Sequence, residues 1–231
     1  MKAVDNPKNY PIHYVTYVKT KDGKRNLPTE VPVSIADTKK QGFHVLDILA
    51  DDYKVPDEIP AYHAGFKHMR DIAMPRIVEL MKKNKNLQGA FIVEGDLCLD
   101  ADFTFKKFLE MKLKRPTWLG YKKILKAGNS IHYVVGNFMI YIPRCCVEEM
   151  KREFCDQTRL VYSDRFFTKL VNKGVLKIDT NRSYASEIEH TSNVKGGIRE
   201  AECRIALNNN IVAKTNKIKK VQVASKNSSG C

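Results

Sequence analysis

The segment Gly89-Ala-Phe-Ile-Val93, followed by Glu94-Gly95-Asp96, constrains this chain more than any other part of it. A continuous apolar run of strand length reads as a strand covered on both faces, as in a mostly parallel sheet with helices above and below. Such a strand cannot stand alone. It demands neighbours in its own plane and apolar helix faces on either side, so it fixes an α/β layer architecture before any other element is placed. Its last residues change character abruptly. Two carboxylates flank a glycine, and Gly95 permits a tight turn with close approach of the backbone.

The rest of the sequence supplies what that strand requires. Ile12 to Val18 is rich in β-branched and aromatic residues and reads as a first strand, and Lys19 to Pro32 as a loop. Phe43 to Leu49 is a second short strand, and Pro56 and Pro60 punctuate the connection that follows. From Ala61 to Lys83 apolar residues recur at helical spacing, with Pro75 inside the pattern, which predicts a kink or two successive helices. A helix from Phe103 to Lys112 with Asp102 as its cap follows the acidic turn. Further strands are expected at Trp118–Tyr121 and across Tyr133–Ile142, helices at Arg144–Phe154 and Asp164–Val171, and a short strand at Val175–Ile178. Ile198 to Leu207 reads as one more helix.

Composition narrows the function classes. The 231 residues suffice for one large core, and no apolar run approaches the ~20 residues that span a bilayer. The N-terminus lacks the apolar segment of a secretory signal, and the six cysteines show no C-x-x-C spacing, so a cytoplasmic chain with reduced thiols is the expectation. The formal charge of +14 points to an anionic partner, whether nucleic acid, membrane surface or phosphorylated small molecule, and part of it lies in the basic stretch Lys214–Lys220. The expected organisation is one domain over residues 1–205 and a basic polar tail over 206–231.

In an open α/β sheet, ligands bind outside the carboxyl ends of the strands, where Glu94 and Asp96 lie. Hard cations such as Mg2+ or Mn2+ take carboxylate oxygens and keep positions open for substrate phosphates. An acidic turn without any ligand has the same spacing.

Ala90-Phe-Ile-Val-Glu-Gly-Asp-Leu97 resembles the acidic strand end of GT-A-fold glycosyltransferases, and in particular the lipooligosaccharide and procollagen galactosyltransferase type with its small virus-encoded relatives. Ala61-Tyr-His63, Trp118-Leu-Gly-Tyr121, Gly136-Asn-Phe-Met-Ile-Tyr-Ile-Pro-Arg144 and Tyr162-Ser-Asp-Arg-Phe-Phe167 fall in the same order as that group's segments. Departures exist. Glu94-Gly95-Asp96 is not a strict D-x-D, and Tyr62 stands where that group has serine.

The resemblance implies a single GT-A-like domain, a mixed, mostly parallel sheet flanked by helices, and transfer of a hexosyl group from a UDP- or GDP-sugar to a glycan or protein hydroxyl. It implies Asp96 as metal ligand, Glu94 as ligand or donor contact, and His190 as a further ligand. Asp164 is the implied general base, needed where the anomeric centre inverts. Lys122, Lys123 and Arg165 are candidates to offset donor phosphate charge. His190 is also readable as a loop histidine and Asp164 as a helix cap, a role that can coexist with the first, and the three cations are equally readable as surface charge. Two readings from other classes stand beside this one. A basic nucleic-acid-binding module lacks any recognisable motif. Another metal-dependent nucleotide-using transferase, moving a phosphoryl or nucleotidyl group, shares the metal logic, with the missing glycine-rich loop counting against a P-loop kinase.

Overall fold

The structure is a computed structural model and describes residues 5–16, 30–50, 66–95, 97–128, 130–136, 138–159, 161–187, 190–191 and 198–199. Residues 17 and 18 of the expected first strand, the proline-punctuated connection, the helix start at 61–63, Asp96 and the tail lie outside this set.

A six-stranded sheet forms the middle layer, in the order β2 (Val45–Ala50), β1 (Ile12–Thr16), β3 (Gly89–Glu94), β8 (Met139–Pro143), β5 (Thr117–Gly120), β9 (Lys177–Ile178). Only β8 runs against the others, pairing antiparallel with β3 and with β5. The sheet is therefore mixed and mostly parallel, and helices cover both faces. β3 behaves as its composition requires, for Gly89 through Val93 are all buried. Side-chain alternation sorts the core into two layers. Ala90 and Ile92 of β3, Ile140 and Ile142 of β8 and Trp118 of β5 face α2 (Met74–Lys83), α4 (Val147–Asp156) and α5 (Ser163–Asn172). Phe91, Val93, Met139, Tyr141 and Leu119 face the other way, toward α3 (Phe105–Glu110) and Ile35 of α1 (Glu30–Lys40). Aromatic rings close that second layer, with Phe91 4.8 Å from Phe108 and 5.0 Å from Tyr141 between centroids.

Several elements differ from the sequence expectation. The loop assigned to Lys19–Pro32 ends early, because α1 begins at Glu30. Pro32 sits in its first turn, where a helix needs no N–H. The kink expected at Pro75 is a π-helical turn, Met69–Ala73, in which the Met74 N–H reaches back to the Met69 carbonyl before α2 starts. Proline offers no N–H to the preceding turn, and the wider turn absorbs that loss. Asp102 does not cap a helix at Phe103. Thr104 does so, accepting from the Lys107 N–H at 3.3 Å, and α3 starts at Phe105. Tyr133–Ile142 is not one strand. Gly136, at φ +66°, breaks it into β7 (Ser130–Val135) and β8, and β7 pairs with β6 (Lys123–Ala127) as a separate hairpin. Ile198 and Arg199 form a strand, β12, paired with β11 (His190–Thr191), where a helix was expected. No described helix is long and apolar enough to cross a membrane.

Candidate active site

The strand order defines where a ligand belongs. After β1 the chain passes to β2 on one side of the sheet, whereas after β3 it proceeds to β5 on the other. The carboxyl ends of β1 and β3 therefore flank a topological switch point, the position at which open α/β sheets leave a crevice. Glu94 ends β3 at that point, and the Gly95 N–H donates to the Val15 carbonyl at 3.0 Å.

Glu94 is half-buried and held from the antiparallel side. Its own N–H donates to the Phe138 carbonyl at 2.9 Å, and its Oε2 accepts the Phe138 N–H at 3.3 Å. The turn that presents Phe138 depends on Gly136 in the left-handed region, and a Cβ there would lie 3.4 Å from the Lys122 Cβ. Lys122 donates its N–H to the Val135 carbonyl at 3.0 Å. The backbones of Lys122 and Lys123 thus border the same turn that engages Glu94, and both side chains are exposed.

The second acidic pair serves a different purpose. Arg182 Nη2 bonds Asp100 Oδ2 at 3.3 Å and also Asp102 Oδ1, while Lys107 Nζ donates to Asp102 Oδ2 at 3.0 Å. The Arg182 and Lys107 hydrogen bonds hold the Asp102 carboxyl far below the usual carboxylate range. The Arg182 guanidinium also lies over the Tyr184 ring, 5.0 Å from its centroid. Sequence inspection had no means of finding this clasp, because its partners lie some 80 residues apart. It pins β10 (Ala185–Glu187) antiparallel to β4 (Leu97–Leu99), with Glu187 opposite Leu97. Leu97 directly follows Asp96, and His190 stands three residues beyond Glu187, a length of chain that reaches about 10 Å.

Asp164 and Arg165 stand on α5, which meets the Glu94 turn through Phe167 and Phe138. Asp164 lies in the first turn of α5, whose N-cap position is Tyr162, and the Tyr162 side chain makes no capping hydrogen bond. Asp164 Oδ1 accepts the Arg165 N–H at 2.8 Å, and its carboxylate lies beside the Tyr133 phenol. Burial, then the neighbouring Asp164 carboxylate, push the Tyr133 phenol well above the usual tyrosine range. Thr168 Oγ1 links this helix to the hairpin, donating to the Asp164 carbonyl at 2.7 Å and accepting the Val134 N–H at 3.0 Å. The ring of Phe167 lies 5.7 Å from that of Phe138, so the Asp164 helix packs against the residue that holds Glu94.

Among the described residues, no group of three or more His, Cys, Asp or Glu side chains is placed to hold a metal ion. The side chains of Asp96 and His190 lie outside that set. Of His190 the backbone alone is described, in register with Arg199.

No family model matches the chain, and no curated protein matches it. Among solved structures, a glycosyltransferase involved in the glycosylation of the major capsid of PBCV-1 is similar over 73% of this chain and 81% of its own, at 7% identity and a TM-score of 0.44. A candidate glucose-1-phosphate thymidylyltransferase from Bacillus anthracis, in complex with a sucrose, is similar over 77% of this chain and 89% of its own, at 8% identity and a TM-score of 0.46. At these values the likenesses carry no argument about chemistry.

Proposed function

We propose that the chain is a glycosyltransferase that moves a sugar from a nucleoside-diphosphate sugar to an acceptor hydroxyl with the help of a divalent cation. The observation that carries the reading is the position of Glu94, at the carboxyl end of the buried central strand and at the switch point between β1 and β3. The resemblance of the Ala90–Leu97, Trp118, Gly136 and Tyr162 segments to GT-A glycosyltransferases supports it.

An oxygen-rich donor set suits Mn2+ or Mg2+, and Asp96, Glu94 and His190 are the residues that would hold it. A cation bound there offsets the charge of the donor diphosphate. Lys122 and Lys123, at the rim beside Gly136, add positive charge on the same side. Asp164 is the proposed base for transfer with inversion. The acceptor oxygen bonds the anomeric carbon, its proton passes to an Asp164 carboxylate oxygen, and the bond from that carbon to the diphosphate breaks with its electrons on the leaving oxygen. Tyr133 lies beside the same carboxylate.

Thermal unfolding with Mn2+ and a panel of UDP- and GDP-sugars tests the reading. A matching donor at a hundred times its Kd adds about 2.7 kcal/mol of stability, and the shift requires the metal. Asp96→Ala is expected to abolish the metal-dependent shift. Glu94→Gln is expected to weaken it while leaving ligand-free stability nearly unchanged, since the amide oxygen still accepts the Phe138 N–H. If no nucleotide sugar shifts the melting point while oligonucleotides bind with a steep salt dependence, the transferase reading is wrong.

A further inference from the structure

The hairpin of β6 and β7 stands away from the central sheet and packs beside α5, and an open groove of about 810 Å3 runs between them. Arg165, Lys169 and Lys173 recur every fourth residue, which places them in a row along the face of α5 that borders the groove. Tyr133 and Tyr162 supply two aromatic rings beside His132, and no carboxylate lines it among the described residues. Tyr162 is 40% exposed, a large apolar surface left open to solvent beside the cations.

The three cations are not equivalent. Lys173 Nζ is paired with Glu153 Oε2 at 2.8 Å, and Lys169 Nζ donates to Gln157 Oε1 at 3.0 Å. The Arg165 guanidinium has no hydrogen-bond or ion-pair partner among the described residues, and the only contact of this residue with a carboxylate is through its backbone N–H. One uncommitted guanidinium, backed by a positive field and flanked by aromatic rings, suits a ligand with a single carboxylate on a largely neutral ring. Arginine matches a carboxylate with two parallel N–H donors. A nucleic-acid strand would ask instead for a cation at every phosphate.

The groove also leads to a reactive group. Tyr133 lines it and lies beside the Asp164 carboxylate. From this arrangement we infer that the groove between α5 and the β6–β7 hairpin binds the acceptor, and that the acceptor is an acidic glycan whose carboxylate is taken by Arg165. The word acceptor rests on the transferase reading; the binding of an acidic sugar does not.

Titration of the full chain with a trigalacturonate, with its neutral methyl ester and with an oligothymidylate of equal length, each without nucleotide or metal, tests this. The uronate is expected to bind, its methyl ester about tenfold more weakly or worse, and Arg165→Ala is expected to reproduce that loss, with Arg165→Lys recovering part of it. Arg165 is exposed, and an unchanged melting temperature confirms that the variants are folded. Lys85→Glu and Lys106→Glu, exposed and away from the groove, should leave uronate binding nearly intact. Equal binding of the ester, unchanged binding by Arg165→Ala, equal losses from the two distant lysines, or tighter binding of the oligothymidylate each overturn the proposal. Loss of uronate binding specificity with an intact donor shift overturns the groove proposal and leaves the transferase reading standing. Arg165-dependent uronate binding without any donor shift keeps the groove and removes the transferase.

Discussion

Acidification from pH 7 to 4 is expected to remove about 3 kcal/mol of stability through a single buried histidine, His13. His13 lies in β1 between Asp47 of β2 and Ile92 of β3, is 1% exposed, and neither ring nitrogen has a hydrogen-bond partner among the described residues. Burial first, then the nearby charges of Arg76 and His44, push its imidazole down to about 4 from an ordinary 6.5. The folded state therefore holds His13 neutral, and the unfolded chain binds its proton more readily. Stability from this group is complete above about pH 6.5, falls as the pH drops toward 4, and changes no further once the folded state also takes the proton. The Asp102 ion pairs act in the same direction at still lower pH, because a carboxyl held down by Arg182 loses its contribution on protonation. His13→Leu separates the two. Urea midpoints for both proteins between pH 7 and 4 should show the native chain losing about 3 kcal/mol more than the variant. The variant should match or exceed the native chain at pH 7, since an imidazole with unsatisfied nitrogens is replaced by an apolar side chain. Parallel pH profiles for the two proteins would clear His13 of any role in acid sensitivity.

Legibility in the sequence followed burial. β3 announces itself because both its faces are covered, and α4 and α5 because their apolar residues fall on one side. The β6–β7 hairpin was missed for the opposite reason. Most of its side chains are exposed and only one residue of β6 and β7 is buried, so it carries little apolar pattern, and Gly128 at φ +60° marks its turn. α1 was obscured by Pro32, which reads as a breaker unless the helix is known to start two residues earlier. In the site, Glu94 was legible as a strand end, whereas its bond to the Phe138 N–H and the Arg182 clasp join segments remote in sequence. The row of Arg165, Lys169 and Lys173 was visible as spacing, but it became a groove only once the hairpin stood opposite.

Arg144→Met is expected to cost about 3 kcal/mol, which for a chain of this size lowers the melting temperature by about 6–12 °C. Arg144 begins the 3-10 turn after β8, and its side chain crosses back to the end of α2. Nη1 donates to the carbonyls of Asn84 at 2.8 Å and Leu87 at 3.1 Å, and Nη2 donates to that of Met81. Its backbone N–H donates to the Gln88 carbonyl at 2.8 Å, one residue before β3 begins. A helix leaves its last carbonyls without partners and carries partial negative charge there, so a guanidinium at this point satisfies acceptors and dipole together. Hydrogen bonds from a charged donor contribute about 1.5–3 kcal/mol each, and three that share one group contribute less than their sum. Methionine keeps the length of the stem and removes every donor. Arg144→Lys should recover only part of the loss, because an ammonium cannot span three carbonyls with a planar fork. The urea midpoint is expected to fall with an unchanged slope. Donor- and metal-dependent stabilisation should persist in the variant, because Arg144 braces β3 at the end opposite Glu94. If instead Arg144→Met abolishes that stabilisation while unfolding at the native midpoint, Arg144 is part of the site rather than of its support.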